Sequence, residues 1–167
     1  MPPWLPEDFT PPGLTPVPPD HHLRPIRATD VDLDFAAVMS SRERLWSLFG
    51  APHGWPPESL TYEQDRADLV RHEAEMDLNL SFNYALFDAG EHYLGGCVYI
   101  DPPERAGADA DISFWVVDDL VGTPAAAALA AMVPRWIAMS WPFTNPRFID
   151  SELAWAEWLR LPPVQSE

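Results

Sequence analysis

The sequence has no lysine and a single cysteine, Cys97, in 167 residues. One thiol excludes an internal disulfide framework and suits a reducing cytoplasm. The basic side chains are 10 arginines against 26 Asp and Glu, a formal charge of −16. Phosphate binding needs clustered basic residues, so neither nucleic acid nor an anionic membrane surface is an expected partner. An acidic surface attracts cationic or amine-bearing molecules; the plainer alternative is a solvated face that only confers solubility. No apolar run approaches the ~18 residues of a bilayer span. Met1-Pro2-Pro3-Trp4 carries neither a basic region nor an apolar core, so no secretory signal is expected and a cytoplasmic location is.

Proline and aromatic residues are plentiful instead. Eight of the 20 prolines fall in residues 1–19, where fixed φ and missing donors exclude helix and central strand. The expectation is an extended arm over 1–20, anchored through Trp4, Leu5 and Phe9, ahead of one folded domain over 21–167. Eight Trp and eight Phe supply an ample core.

Along the domain, Leu23-Arg24-Pro25-Ile26 reads as a short strand whose proline argues for an edge. Val31, Phe35, Val38, Met39, Leu45, Trp46 and Phe49 recur at helical spacing after a cap at Thr29 or Asp30, and Gly50 with Pro52 ends the pattern. Thr61 and Gln64 form a capping box for a second helix to about residue 78. Phe82, Tyr84 and Leu86 alternate with polar or small residues, Tyr93 to Ile100 returns the chain, and Asp111 to Val117 alternates again. In that last strand Ile112, Phe114 and Val116 take one face and Asp111, Ser113 and Trp115 the other. Thr123 and Pro124 open an alanine-rich helix, in which Pro134 predicts a kink or split. A strand near 143–149 and a helix over 151–160 complete the pattern, which has no internal repeat.

This order, with Leu23-Arg-Pro-Ile-Arg-Ala-Thr-Asp30, Leu94-Gly-Gly-Cys-Val-Tyr-Ile100 and Asp111-Ile-Ser-Phe-Trp-Val-Val117, resembles the GNAT superfamily of N-acetyltransferases over roughly residues 22–150. The resemblance implies an α+β fold with a mixed, mostly antiparallel sheet flanked by helices. It also implies acetyl-CoA as cosubstrate and an amine as acceptor. Its cofactor-binding candidates are Trp115, Val116 and Val117 on the strand that pairs with the pantetheine arm. Val121, Gly122, Thr123, Ala125 and Ala126 are their counterparts around the pyrophosphate at a helix N-terminus, where free N–H groups and the helix dipole favour an anion. This sequence departs from the family there: Asp118 and Asp119 bring negative charge, and Pro124 removes a donor.

The resemblance places a catalytic carboxylate at Asp111, with Ser113 on the same face; burial near Trp115 would have to raise its pKa for it to act as a base. The alternative is a strand-end aspartate bonded to a turn. The family's terminal tyrosine acid has no counterpart after Tyr99, leaving Ser113 and Tyr84 as candidates, and the sequence ends where the family's last hairpin would begin. No metal site is expected: Asp68, His72 and Glu75 on one helix face read as a solvated ion-pair set. Trp46, Phe49, His53 and Trp55 are candidate pocket residues, with core packing favoured for Trp46 and Phe49. Alternatives to the enzyme are an inactive GNAT-like binding module, or an interaction subunit (a homodimer included) that uses the arm and the Trp155/Trp158 tail.

Overall fold

The alternation of apolar and polar residues in the middle of the chain gives the sheet two unlike faces. The computed structural model describes residues 3–165; Met1 and Pro2, the first residues of the expected arm, lie outside the described residues, as do the last two. Six strands lie side by side in chain order. They are β1 (Thr15–Val17), β2 (His21–Pro25), β3 (Phe82–Asp88), β4 (Leu94–Asp101), β5 (Ala110–Val116) and β6 (Pro146–Phe148). The β1 to β5 neighbours are antiparallel and β5–β6 is parallel, so the sheet is mixed.

Phe82, Tyr84, Leu86, Val98, Ile100 and Ile112 form one face and pack on Leu129, Val133 and Ile137 of α4 (Pro124–Ser140). Full burial of each Leu or Ile contributes about 1.5–3 kcal/mol. Ala85, Phe87, Cys97 and Trp115 point the other way, under α1 (Val31–Ser40), α2 (Arg42–His53) and α3 (Tyr62–Asp77). The Thr61 capping box forms as expected, with Thr61 Oγ1 accepting from Gln64 N at 3.2 Å and Gln64 Oε1 from Thr61 N at 2.9 Å. Thr123 caps α4 and Pro124 takes its first turn, where its missing N–H is harmless.

Several local expectations change. The arm packs on the α4 side of the sheet: Leu5 is in the core, Trp4 Nε1 donates to Asp109 O at 2.8 Å, and Phe9 meets Trp141. It also supplies β1, so β2 with its Pro25 is second from the edge, and the proline is tolerated because it ends the strand. The helical pattern over 31–50 breaks at buried Ser41, whose Oγ accepts from Asp118 N at 2.8 Å. Gly50 does not stop α2, which runs on to Gly54 in the left-handed conformation (φ 62°). Pro134 neither splits nor ends α4, because flanking Val133, Trp136 and Ile137 are buried and hold the helix down. Trp46 is 43 % exposed rather than core. β6 and the last helix, α5 (Trp155–Trp158), are shorter than their patterns, because Phe148 O accepts from both Glu152 N and Leu153 N and turns the chain between them.

Candidate active site

The parallel pair β5–β6 is registered only over Ala110–Ile112. Beyond it the two strands part, and the outer edge of β5 opens. Val117 N bonds inward to Gly95 O at 2.9 Å, while Ile112 O accepts outward from Ile149 N at 2.9 Å. By this alternation Phe114 and Val116 also aim their peptide groups at the opening, and no β6 residue faces them. The carbonyl of Val116 accepts from the Arg44 guanidinium, whose Nε reaches Asp118 Oδ1 at 2.7 Å.

At the far end of the opening, Gly122 is left-handed (φ 76°) with open space where a side chain would stand. The pyrophosphate candidates next to it are less free than the sequence implies. Val121 N and Thr123 N bond to Asp118 O and Leu120 O, Ala126 N bonds to Thr123 Oγ1, and Pro124 has no N–H. Gly122 N and Ala125 N are the peptide donors of this turn with no recorded partner among the described residues. Trp115 and Val117 direct their peptides at β4, so of the three strand candidates Val116 alone presents its backbone to the opening. An extended arm with amide groups fits the β5 edge; a pyrophosphate finds two N–H groups and the dipole of α4.

On the opposite face a cavity of about 840 Å³ lies between the sheet, α3 and the loop after α2. Its floor is Asn83, Tyr99, Asp101 and Ser113, which β3, β4 and β5 present on one face because Asn83 registers with Tyr99 and Tyr99 with Ser113. Phe49, His53 and Trp55 form an aromatic wall, Phe49 being also buried in the core as favoured from the sequence, while Trp46 does not line it. Burial lowers the His53 and His72 pKa values and keeps both rings neutral near pH 7.

Asp111 is not on the lining. Its Oδ1 accepts from Arg147 Nε at 2.7 Å and its Oδ2 from Trp158 Nε1 at 3.1 Å, which ties the end of β5 to β6 and α5. Asp101, which does line the cavity, stands opposite it across the ladder. Desolvation, only partly offset by the Ser81 Oγ bond at 2.7 Å, pushes the Asp101 carboxyl up to about 7, and neighbouring Asp111, Glu104 and Glu75 add to the rise. Asp101 is diagonal to Ser113 on the same face, about 7–8 Å away by strand geometry.

Ser113 stands beside Tyr99, whose hydroxyl accepts from Trp115 Nε1 at 2.8 Å and is kept protonated by burial. Tyr84 is on the other face with its hydroxyl donated to Pro12 O, which removes it as an acid. Cys97 is buried and its thiol is pushed well up by burial, so it belongs to the core. Arg71 bonds Asp68 at 3.4 Å and Glu75 at 3.1 Å, and among the described residues no group of three or more His, Cys, Asp or Glu is placed to hold a metal. Asp101 escapes the sequence reading, which ends the strand at Ile100, and its environment comes from Ser81, Glu75 and Glu104 closing around it.

No family model matches the sequence, and no curated relative does. Solved structures do. A ribosomal-protein-S5-alanine acetyltransferase from Vibrio fischeri superposes with a TM-score of 0.55 at 19% identity, over 71% of this chain and 64% of that one. The chain therefore spans a little under two thirds of that relative's length. A ribosomal L7/L12 alpha-N-protein acetyltransferase in complex with coenzyme A gives 0.60 at 17% identity, over 74% of this chain and 67% of that one. The microcin C7 self-immunity acetyltransferase, in complex with acetyl-CoA and AMP, gives 0.59 at 11% identity, over 77% and 68%.

The chain has the GNAT fold. In this GNAT sheet Phe114, at the open edge of β5, directly follows Ser113 of the cavity floor. The Trp155 and Trp158 pair, a candidate partner surface, packs internally against Phe49 and His53.

Proposed function

We propose that the protein is an N-acetyltransferase that moves an acetyl group from acetyl-CoA to an amine. The observation that carries this reading is the parting of β5 from β6 after Ile112, next to a cavity whose floor holds a carboxyl raised to about 7. The open edge at Phe114 and Val116 would hold the pantetheine arm, and Gly122 N and Ala125 N the pyrophosphate. Acetyl-CoA supplies the activated acyl carbon. Asp101 takes the proton that an ammonium must lose before its nitrogen can attack, and its pKa near the working pH suits a base. Tyr99 and Ser113 stand where hydroxyl donors can serve the developing oxyanion and the departing sulfur. As the nitrogen–carbon bond forms and the carbon–sulfur bond breaks, one proton passes to Asp101 and one reaches the thiolate. Calorimetric titration with acetyl-CoA, followed by CoASH release in the presence of an amine, tests the reading; no heat and no release overturn it.

A second reading, a GNAT-fold binding module without turnover, draws support from the Arg44 guanidinium on Val116 O and from Asp118 and Asp119 beside the turn. Acetyl-CoA binding without CoASH release across an amine panel would favour it.

A further inference from the structure

The cavity is acidic at both ends. Asp34 of α1 reaches to 4.0 Å from Cys97 Sγ, with Asp65 and Asp68 of α3 beside it. Asp101, four residues beyond Cys97 on β4, has Glu104 and Glu75 for neighbours. Four strand residues span about 13 Å. The ten residues of α3 from Asp65 to Glu75 span about 15 Å, so helix and strand give the same separation. Tyr99 lies between the two ends, and Asn83 registers with it from β3.

Two oxygens on this lining lack a donor: Asn83 Oδ1, in a residue 3 % exposed, and Asp65 Oδ2, in a residue 2 % exposed whose carboxyl also bonds that of Asp34. A buried acceptor without a donor costs roughly 1–3 kcal/mol, a cost that a ligand donor recovers. Arg71 is the guanidinium on the lining, and it is already held between Asp68 and Glu75.

Ionised carboxylates accept and never donate, and the proton that burial holds on Asp34 is shared with Asp65 inside the pair, so the remaining acceptors of the lining favour a ligand rich in donors. A peptide brings a carbonyl for each of its N–H groups, whereas an aliphatic polyamine brings donors alone. We infer that the acceptor is a linear polyamine, with one terminal ammonium against Asp34 and Asp65, a nitrogen at Asn83 Oδ1, and its other end at Asp101. The inference rests on the acetyl-transfer reading for the fate of the bound amine, but its binding half does not.

Calorimetry on the full chain without acetyl-CoA, using spermidine and butylamine as probes, tests that half. Spermidine is expected to bind at least about tenfold more tightly than butylamine. Asp65→Asn and Asn83→Leu should each weaken spermidine by about tenfold while leaving butylamine nearly unchanged, and Asn83→Asp should tighten spermidine. Thermal unfolding of each variant confirms a folded chain; should Asn83→Leu fail to fold, Asp65→Asn, nearly isosteric, still decides. Equal affinity for the two probes, an unchanged spermidine affinity in Asp65→Asn, or tighter binding of a lysine-bearing peptide than of spermidine would overturn the inference. If spermidine binds as expected and CoASH is never released, polyamine binding stands and acetyl transfer falls. Turnover of butylamine and spermidine with equal kcat/KM has the opposite meaning.

Discussion

The two faces of the central sheet are made from alternate residues of the same three strands, yet they do different work. On the α4 side Phe82, Tyr84, Val98, Ile100 and Ile112 are buried with hardly any polar company, and the proline-rich arm closes the edge of the layer. On the α3 side Asn83, Tyr99, Asp101 and Ser113 floor a cavity with unsatisfied acceptors and carboxyls held far from their ordinary protonation. Close packing stabilises, whereas buried carboxyls cost free energy unless a cation or a proton joins them. Both faces are packed, but the buried carboxyls gather on the α3 side.

The contrast can be broken first on the apolar face. Ile137→Ala removes a fully buried side chain of α4 and should cost about 2–5 kcal/mol in chemical denaturation, with spermidine affinity unchanged in the folded protein. Asp101→Asn should do the reverse, lowering kcat/KM by about 10²-fold or more, with a stable fold. In the wild type kcat/KM should rise with pH through about 7 as Asp101 loses its proton, and the variant should lack that rise.

Stability should show the same asymmetry. Asp101 (raised to about 7) and Asp65 (raised to about 6) bind protons more tightly folded than unfolded. The native state thus holds more protons than the unfolded state between pH 4 and pH 7, and stability falls as pH rises across that window. A loss on the order of several kcal/mol is expected, smaller than the two carboxyls alone would give because the lowered His53 and His72 pKa values act in the opposite direction, measured as denaturation midpoints at both ends of the range. Asp101→Asn should flatten part of the slope, and a flat wild-type profile would sink the idea. The smallest effect belongs to the cofactor turn: Asp118→Asn removes an exposed carboxylate near the expected pyrophosphate and should tighten acetyl-CoA by only about threefold in calorimetry.

Much of the scaffold was legible because its signals are local. Thr61 with Gln64 and Thr123 with Pro124 place helix starts from side chains within one turn, and the period-two pattern of 82–86 and 111–117 assigns faces without any partner in view. What escaped was set across the chain. The break at Ser41 depends on Asp118, 77 residues away. Trp46 carries the right helical phase yet faces solvent, because the α1–α2 break turns the second half of that pattern. Asp111 had the right face and strand, but Arg147 and Trp158 occupy it from segments whose positions no single strand reveals.

The sequence by itself determined the alternation of the strands, the helix caps, the acidic balance and the altered turn at 118–124, all properties of neighbouring residues. Only the tertiary structure decided that β5 parts from β6 after Ile112, and that carboxyls from α1, α3 and β4 line one cavity on either side of Tyr99. The reason is physical. A carboxyl's protonation depends on how much water surrounds it and which charges lie within a few ångströms, and for Asp34, Asp65 and Asp101 those neighbours come from distant parts of the chain.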